Sequence, residues 1–268
     1  MTDATPIAHR PHPVGRRAAL TGAASLAIAA GAFPAPFVRA QGARIKIGLM
    51  LPYSGNFALL GNNITDAFKL AIAERGGKLG GRDVQFVQID DESDPAKAPQ
   101  NANRLVVGEK VDVLVGTVSS AVQAAMIRVA REEGTYLLIP NAGLNAGSRE
   151  LCAPNIFRTS FSNWQPAYPM GKVMYDRGHR NVVTYAWKYA AGDESVGGFI
   201  EGFTQAGGKI VKELSLPFPD VEFQAQLTEI ASLKPDAVFV FFAGAGAGKF
   251  VKDYEDRKST RLNSSHVA

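Results

Sequence analysis

The sequence predicts an α/β fold made of two doubly wound parallel-sheet lobes in series. Three observations carry that expectation. From Ile45 to Tyr254, apolar runs of strand length alternate with amphipathic stretches of helical length. Runs such as Val111-Asp112-Val113-Leu114-Val115 and Ala237-Val238-Phe239-Val240-Phe241-Phe242 are nearly continuous in apolar residues, as parallel strands covered on both faces require. Two pairs, Gly76-Gly77 and Gly207-Gly208, each stand between a helical stretch and the next strand, so the same βα unit repeats.

Taken in order, strands are expected at 45–51, 84–90, 112–116, 136–140, 181–187, 209–216 and 237–242. Helices are expected at 62–75, 95–109, 119–133, 165–177, 194–206, 224–233 and 247–254. The helix at 62–75 stops at Gly76-Gly77, where a positive φ is needed. Asp94 before Pro95 supplies an N-cap followed by proline in the first helical position for 95–109. The break between the lobes falls around Asn155–Asn163, where the short strand Ile156-Phe157-Arg158 leads into Thr159-Ser160-Phe161-Ser162-Asn163. The expected division is therefore 41–160 for the first lobe and 161–255 for part of the second.

The two ends read differently. Arg16-Arg17 precede an uncharged run from Ala18 to Ala32, too short and too rich in Ala and Gly to span a bilayer. Pro34 and Pro36 break any helix there, and Val38-Arg39-Ala40 fits a small-x-small cut. Residues 1–40 thus read as an export signal cleaved near Ala40. The signal is twin-arginine-like, with Ala19 where an aromatic residue is usual, or an ordinary secretory leader carrying two arginines. The absence of Cys after the cut argues against a lipid anchor. At the other end, composition changes after Glu255. Asp256-Arg257-Lys258-Ser259-Thr260-Arg261-Leu262-Asn263-Ser264-Ser265-His266 is polar, aperiodic and expected to interrupt the preceding helix. It resembles a translated sequencing-library adapter, so 256–268 is expected to be foreign to the native chain.

Charge follows the same partition. The net of +4 loses +3 with residues 1–40 and +2 with residues 256–268, which leaves −1 for 41–255. A nearly neutral domain offers no phosphate footprint, so nucleic acid is not an expected partner. Cys152 is the only cysteine. It implies a buried thiol or a missing partner.

In open parallel sheets the ligand crevice lies beyond the carboxyl ends of the strands. The first strand delivers Tyr53-Ser54-Gly55, the third Gly116-Thr117-Val118-Ser119-Ser120, and the fourth Asn141-Ala142-Gly143. Ser119 and Ser120 open a helix, where unpaired amides and the helix dipole favour an anion. Either serine could instead serve only as the cap. In the second lobe, one strand ends in Trp187-Lys188-Tyr189 and another in Ala243-Gly244-Ala245-Gly246. These suit an apolar or planar ligand body, although Trp187 could equally be core.

Ile45-Lys46-Ile47-Gly48 with Pro52-Tyr53-Ser54-Gly55, Asp90-Asp91-Glu92-Ser93-Asp94-Pro95, Gly116-Thr117-Val118-Ser119-Ser120 and Phe157-Arg158-Thr159 stand in one order and spacing. Together they resemble the leucine/isoleucine/valine-binding type of periplasmic solute receptor for ABC importers, over about 41–255. The resemblance implies a type I periplasmic-binding-protein clamshell, two lobes joined by three hinge strands, whose second lobe this chain leaves incomplete. It implies a small carboxylate ligand held by hydroxyls and amides at Ser119, Ser120, Ala142 and Gly143, with Tyr53 near the side-chain pocket. It implies a monomer that is free in the periplasm and delivers its ligand to ABC permease subunits, without cofactor or metal. Amino-acid binders of this family also carry an acid after the strand matching 237–242, whereas Ala243-Gly244-Ala245-Gly246-Ala247-Gly248 contains none. Asp193 is the nearest substitute. An ammonium without a counter-charge is costly in a closed cleft, so an aromatic acid is the preferred ligand.

An enzyme is not expected. Gly244-x-Gly246-x-Gly248-Lys249 imitates a phosphate loop, but Ala243 and Phe250 stand where glycine and a hydroxyl residue are needed. His179 is the only histidine in 41–255, so neither a histidine-based metal cluster nor a histidine triad is available. A ligand-sensing receptor of the same fold is the alternative to transport.

Overall fold

The computed structural model describes residues 44–264, with side chains as far as Asp256. The export signal at 1–40, its cut near Ala40 and residues 265–268 lie outside the described residues.

Six strands form the first sheet. They are β1 (Ile45–Leu51), β2 (Lys78–Leu79), β3 (Arg82–Asp90), β4 (Val113–Val115), β5 (Tyr136–Ile139) and β6 (Ile156–Arg158). Their order is β2-β3-β1-β4-β5-β6. All pairings are parallel except the short β2–β3 hairpin. Between them run a short 3-10 turn at Gly55–Phe57, then α1 (Ala58–Ala73), α2 (Ala98–Asn103) and α3 (Ser120–Glu132). A second, parallel sheet takes β7 (Asn181–Lys188), β8 (Lys209–Pro217) and β9 (Ala237–Phe241) in the order β8-β7-β9. Its helices are α4 (Trp164–Asp176), α5 (Ala190–Gln205), α6 (Gln224–Leu233) and α7 (Gly244–Ser264).

The strands are apolar on both faces because both faces are covered. Ile45, Ile47, Leu49 and Leu51 of β1 pack with Ile64 and Phe68 of α1. Met50 turns the other way into a cluster with Leu105, Leu114, Val122 and Met126. In the second sheet, Val183, Tyr185 and Trp187 pack with Phe223, Leu227 and Phe250. Val182 on the opposite face meets Phe199 and Phe203 of α5. Every one of those β7 side chains is fully buried, which is the alternation a strand imposes on its neighbours.

Strand limits differ from expectation by a residue or two, within the usual fraying of element ends. Larger differences have identifiable causes. The hairpin strand β2 was not anticipated. Gly80 and Gly81, at φ of 54° and 79°, make the two-residue turn that joins it to β3. Helix α2 begins at Ala98 rather than Pro95, because Asp94 accepts the Ala96 N–H at 2.8 Å and closes a turn of its own. It is Pro99 that stands in the first turn. Helix α5 begins at Ala190, four residues before the expected 194. A Cβ on Gly192 would lie 1.9 Å from the Trp187 carbonyl oxygen, so that glycine is a close-packing residue inside the helix. Residues 256–264 do not interrupt the preceding helix: α7 runs through them to Ser264. That stretch is polar but contains neither Gly nor Pro, the two residues that most oppose a helix. Cys152 is exposed, which rules out the buried-thiol alternative.

Candidate functional site

In the first sheet the chain order reverses between β1 and β4, and in the second between β7 and β9. Such switch points leave a crevice at the carboxyl ends of the strands. The connection after β4 is held there by its neighbours. Ala142 donates its N–H to the Thr117 carbonyl at 2.9 Å. Thr117 donates its hydroxyl to the carboxylate of Asp91, which also accepts the Ser93 N–H at 2.8 Å. Asp91 is fully buried. Burial pushes its pKa up to about 6, against the hydrogen bonds from Thr117 and Ser93, which lower it.

Ser119 occupies the N-cap position of α3 without a side-chain capping bond. Ser120 directs its hydroxyl at Asn163, whose Nδ2 donates to Ser120 Oγ at 3.1 Å. Neither hydroxyl is thus spent on capping, and both residues are only 1% exposed. Gly143 lies against the same asparagine. Its carbonyl accepts the Asn163 N–H at 2.7 Å, and a Cβ on Gly143 would stand 2.4 Å from Asn163 Oδ1. The carboxamide fills the space that any side chain at 143 would take.

One acid faces this group from α5. Glu194 accepts the Asn163 Nδ2–H at 2.7 Å and the Asn145 N–H at 2.9 Å. Asn145 in turn accepts the Trp164 N–H at 3.1 Å and so caps the start of α4. Arg158 donates to the Leu144 carbonyl at 2.7 Å. Burial lowers the pKa of its guanidinium, and the charge of Glu194 offsets part of that shift.

Aromatic residues from both sheets meet beside it. Phe57 stacks on Phe218 with centroids 5.4 Å apart. Phe218 is edge-on to Trp187 at 5.2 Å and stacked on Tyr189 at 4.9 Å. Val118, Trp187, Tyr189 and Ala243 belong to one packed cluster with Phe57. Trp187 is fully buried and donates its Nε1–H to the Asp220 carbonyl at 2.6 Å. Burial raises the Tyr189 phenol well above its usual range. Gly244 opens α7 at a φ of +56°, and a Cβ there would lie 2.2 Å from the Asn56 carbonyl oxygen. Only glycine allows the end of β9 to approach the Gly55–Phe57 turn so closely.

The structure therefore gathers Ser119, Ser120, Ala142 and Gly143 on one side, and Trp187, Tyr189, Ala243 and Gly244 on the other. Tyr53 and Asp193 are engaged with other partners. The Tyr53 hydroxyl pairs with Thr65 of α1 at 2.8 Å and accepts from Gln88 of β3 at 3.1 Å. Asp193 is half-exposed and paired with Lys188 at 2.9 Å. It lines a cavity of about 140 Å³ with Thr184, Trp187, Lys188, Glu213 and Ser215, over β7 and β8. Sequence reasoning missed Phe57, Asn163, Glu194 and Phe218. The glutamate was one residue from the acid singled out.

Residues 44–262 match the periplasmic binding protein family. A leucine/isoleucine/valine-binding protein homologue of Brucella abortus (strain 2308) is 30% identical over 243 residues, covering 90% of this chain and 60% of the relative. A solute-binding protein of an ABC transporter from R. palustris, solved in complex with benzoate, is 52% identical with a TM-score of 0.78. That match covers 79% of this chain and 59% of the other. Another, from Rhodopseudomonas palustris BisB5 with 3,4-dihydroxybenzoic acid, is 31% identical with a TM-score of 0.76, covering 80% and 59% of the two chains. The chain thus spans about 60% of the length of the relatives it matches. With residues 44–262 matched, the chain belongs to the periplasmic binding protein family.

Proposed function

We propose that this chain is the substrate-binding component of an ABC importer, and that in the periplasm it captures a small carboxylate, preferably an aromatic acid, for delivery to the permease. The observation that carries the ligand preference is the absence of an acid in the segment that follows β9, Ala243–Gly248. β9 closes on Ala243 and Gly244, Asp193 is paired with Lys188, and Glu194 is committed to Asn145 and Asn163. A ligand ammonium would be desolvated without a counter-charge, at a cost of several kcal/mol. A carboxylate meets the opposite situation. The hydroxyls of Ser119 and Ser120, the start of α3 and the backbone of Ala142 and Gly143 supply donors and a favourable dipole. Tyr189 and Phe218, both half-buried, offer flat apolar surface for a ring, backed by the buried Phe57 and Trp187.

The benzoate and dihydroxybenzoate complexes of the two relatives support this reading. The export signal read at 1–40 supports a periplasmic location. The protein acts as a monomer, closes its two lobes over the ligand and presents the closed surface to the permease. A thermal-shift screen with tryptophan fluorescence, run on benzoate, 4-hydroxybenzoate, leucine and valine, tests it. Aromatic acids are expected to raise the melting temperature. Stabilisation by leucine and valine alone would contradict the ligand preference, and no response to any acid would contradict the Ser119/Ser120 assignment.

A further inference from the structure

We infer that Glu194 is a positioning residue that sets Ser120 as a hydrogen-bond donor toward the ligand carboxylate, acting through Asn163. The inference rests on the carboxylate-binding reading above and concerns how that site is oriented. A carboxylate oxygen can only accept, so the 2.7 Å contact with Glu194 fixes which end of the Asn163 carboxamide is the NH₂ group. That nitrogen has two hydrogens. One is taken by Glu194, and the other points at Ser120 Oγ, 3.1 Å away. Ser120 therefore accepts from Asn163 and keeps its own hydrogen. No other hydrogen bond drawn by the described side chains uses that hydroxyl, and it sits on the first residue of α3. The order Glu194, Asn163, Ser120 runs in one direction, and its free end is a donor. A donor at that place suits an anionic acceptor.

The asparagine is seated against Gly143. Its Oδ1 fills the space left open there, and its backbone N–H is anchored on the Gly143 carbonyl at 2.7 Å. Glu194 is itself held by the Asn145 N–H at 2.9 Å. The glutamate comes from α5 in the second sheet layer, whereas Ser120 and Gly143 belong to connections of the first. The acceptor that orients the serine is thus supplied from across the crevice.

A double-mutant cycle tests the relay. Benzoate and 4-hydroxybenzoate are titrated calorimetrically into the wild-type protein, Glu194→Met, Ser120→Ala and the double variant. A lost hydrogen bond to a charged group corresponds to roughly tenfold or more in affinity, so Glu194→Met, which removes the acceptor for Asn163, is expected to weaken binding about tenfold. In the Ser120→Ala background the same change is expected to have less than about a twofold effect. A purely structural role for Glu194 would weaken binding equally in both backgrounds, and that result overturns the relay. Circular dichroism checks that each variant folds. Should Glu194→Met not fold, Asn163→Asp paired with Ser120→Ala serves in its place, because it puts an acceptor where the serine now meets a donor. Failure of the wild-type protein to bind either acid overturns the functional reading and the relay together. Binding without coupling overturns the relay alone.

Discussion

Phe57 and Trp187 meet edge to face, their centroids 6.2 Å apart and their planes at 75°. One lies in the turn after the first strand and the other near the end of the seventh, so this contact joins the two sheet layers. Phe57 is 1% exposed and Trp187 fully buried. Truncating a buried phenylalanine costs about 3–5 kcal/mol where the surroundings cannot collapse. Phe57→Ala is expected to lower the melting temperature by many degrees and to weaken binding of aromatic acids more than that of small acids such as acetate. Differential scanning calorimetry and titration of both ligand types check the two parts.

Tyr185 presents the opposite case. Its ring is fully buried among Phe223, Phe242 and Phe250, yet its hydroxyl is buried without a hydrogen-bond partner. An unsatisfied buried hydroxyl costs about 1–3 kcal/mol. Tyr185→Phe keeps the ring contacts and removes that cost, so a higher midpoint in urea, with an unchanged slope, is the expected result. A loss of stability would mean that the hydroxyl is satisfied.

Asp91 sets a pH dependence whose sign can be worked out. Its pKa rises from the ordinary 3.8 to about 6 in the folded protein. Between those values the folded state holds a proton that the unfolded state has lost, so stability falls as pH rises from about 4 to about 6. A shift of that size corresponds to about 3 kcal/mol, fully present below pH 4 and lost above pH 6. Asp91→Asn is expected to abolish this component while leaving the Thr117 hydroxyl an oxygen to bond. Thermal unfolding of both proteins from pH 4 to 7 decides it. An unchanged slope in the variant would assign the effect to another group.

The fold was legible in the sequence where burial acts on a whole segment. Strands such as Ile45–Leu51 and Ala237–Phe241 are covered on both sides, so each carries its apolar signal unaided. Punctuation was less reliable when one residue type serves two purposes. Asp94, expected to cap a helix starting at Pro95, closes a local turn ahead of α2, and the glycine at 192 lies within α5 rather than ahead of it. The candidate site was legible at its strand ends, since a parallel sheet puts those together by topology alone. Its closing contacts were not. Asn163 and Glu194 are 31 residues apart, and Phe57 meets Phe218 from loops with no periodic signal. Only the packing of one sheet layer against the other brings such pairs together.

The proposed site takes a carboxylate and has no acid after β9 to receive an ammonium. Ligand pairs with one carbon skeleton, differing only by the amino group, test it most directly. Calorimetric titration of 4-methylpentanoate against leucine, and of 3-phenylpropionate against phenylalanine, isolates that group. An uncompensated ammonium costs at least about 1.4 kcal/mol in this setting, which is tenfold in affinity. The des-amino acid of each pair is therefore expected to bind at least tenfold more tightly. Tighter binding of leucine and phenylalanine would show an ammonium acceptor in the cleft and contradict the account.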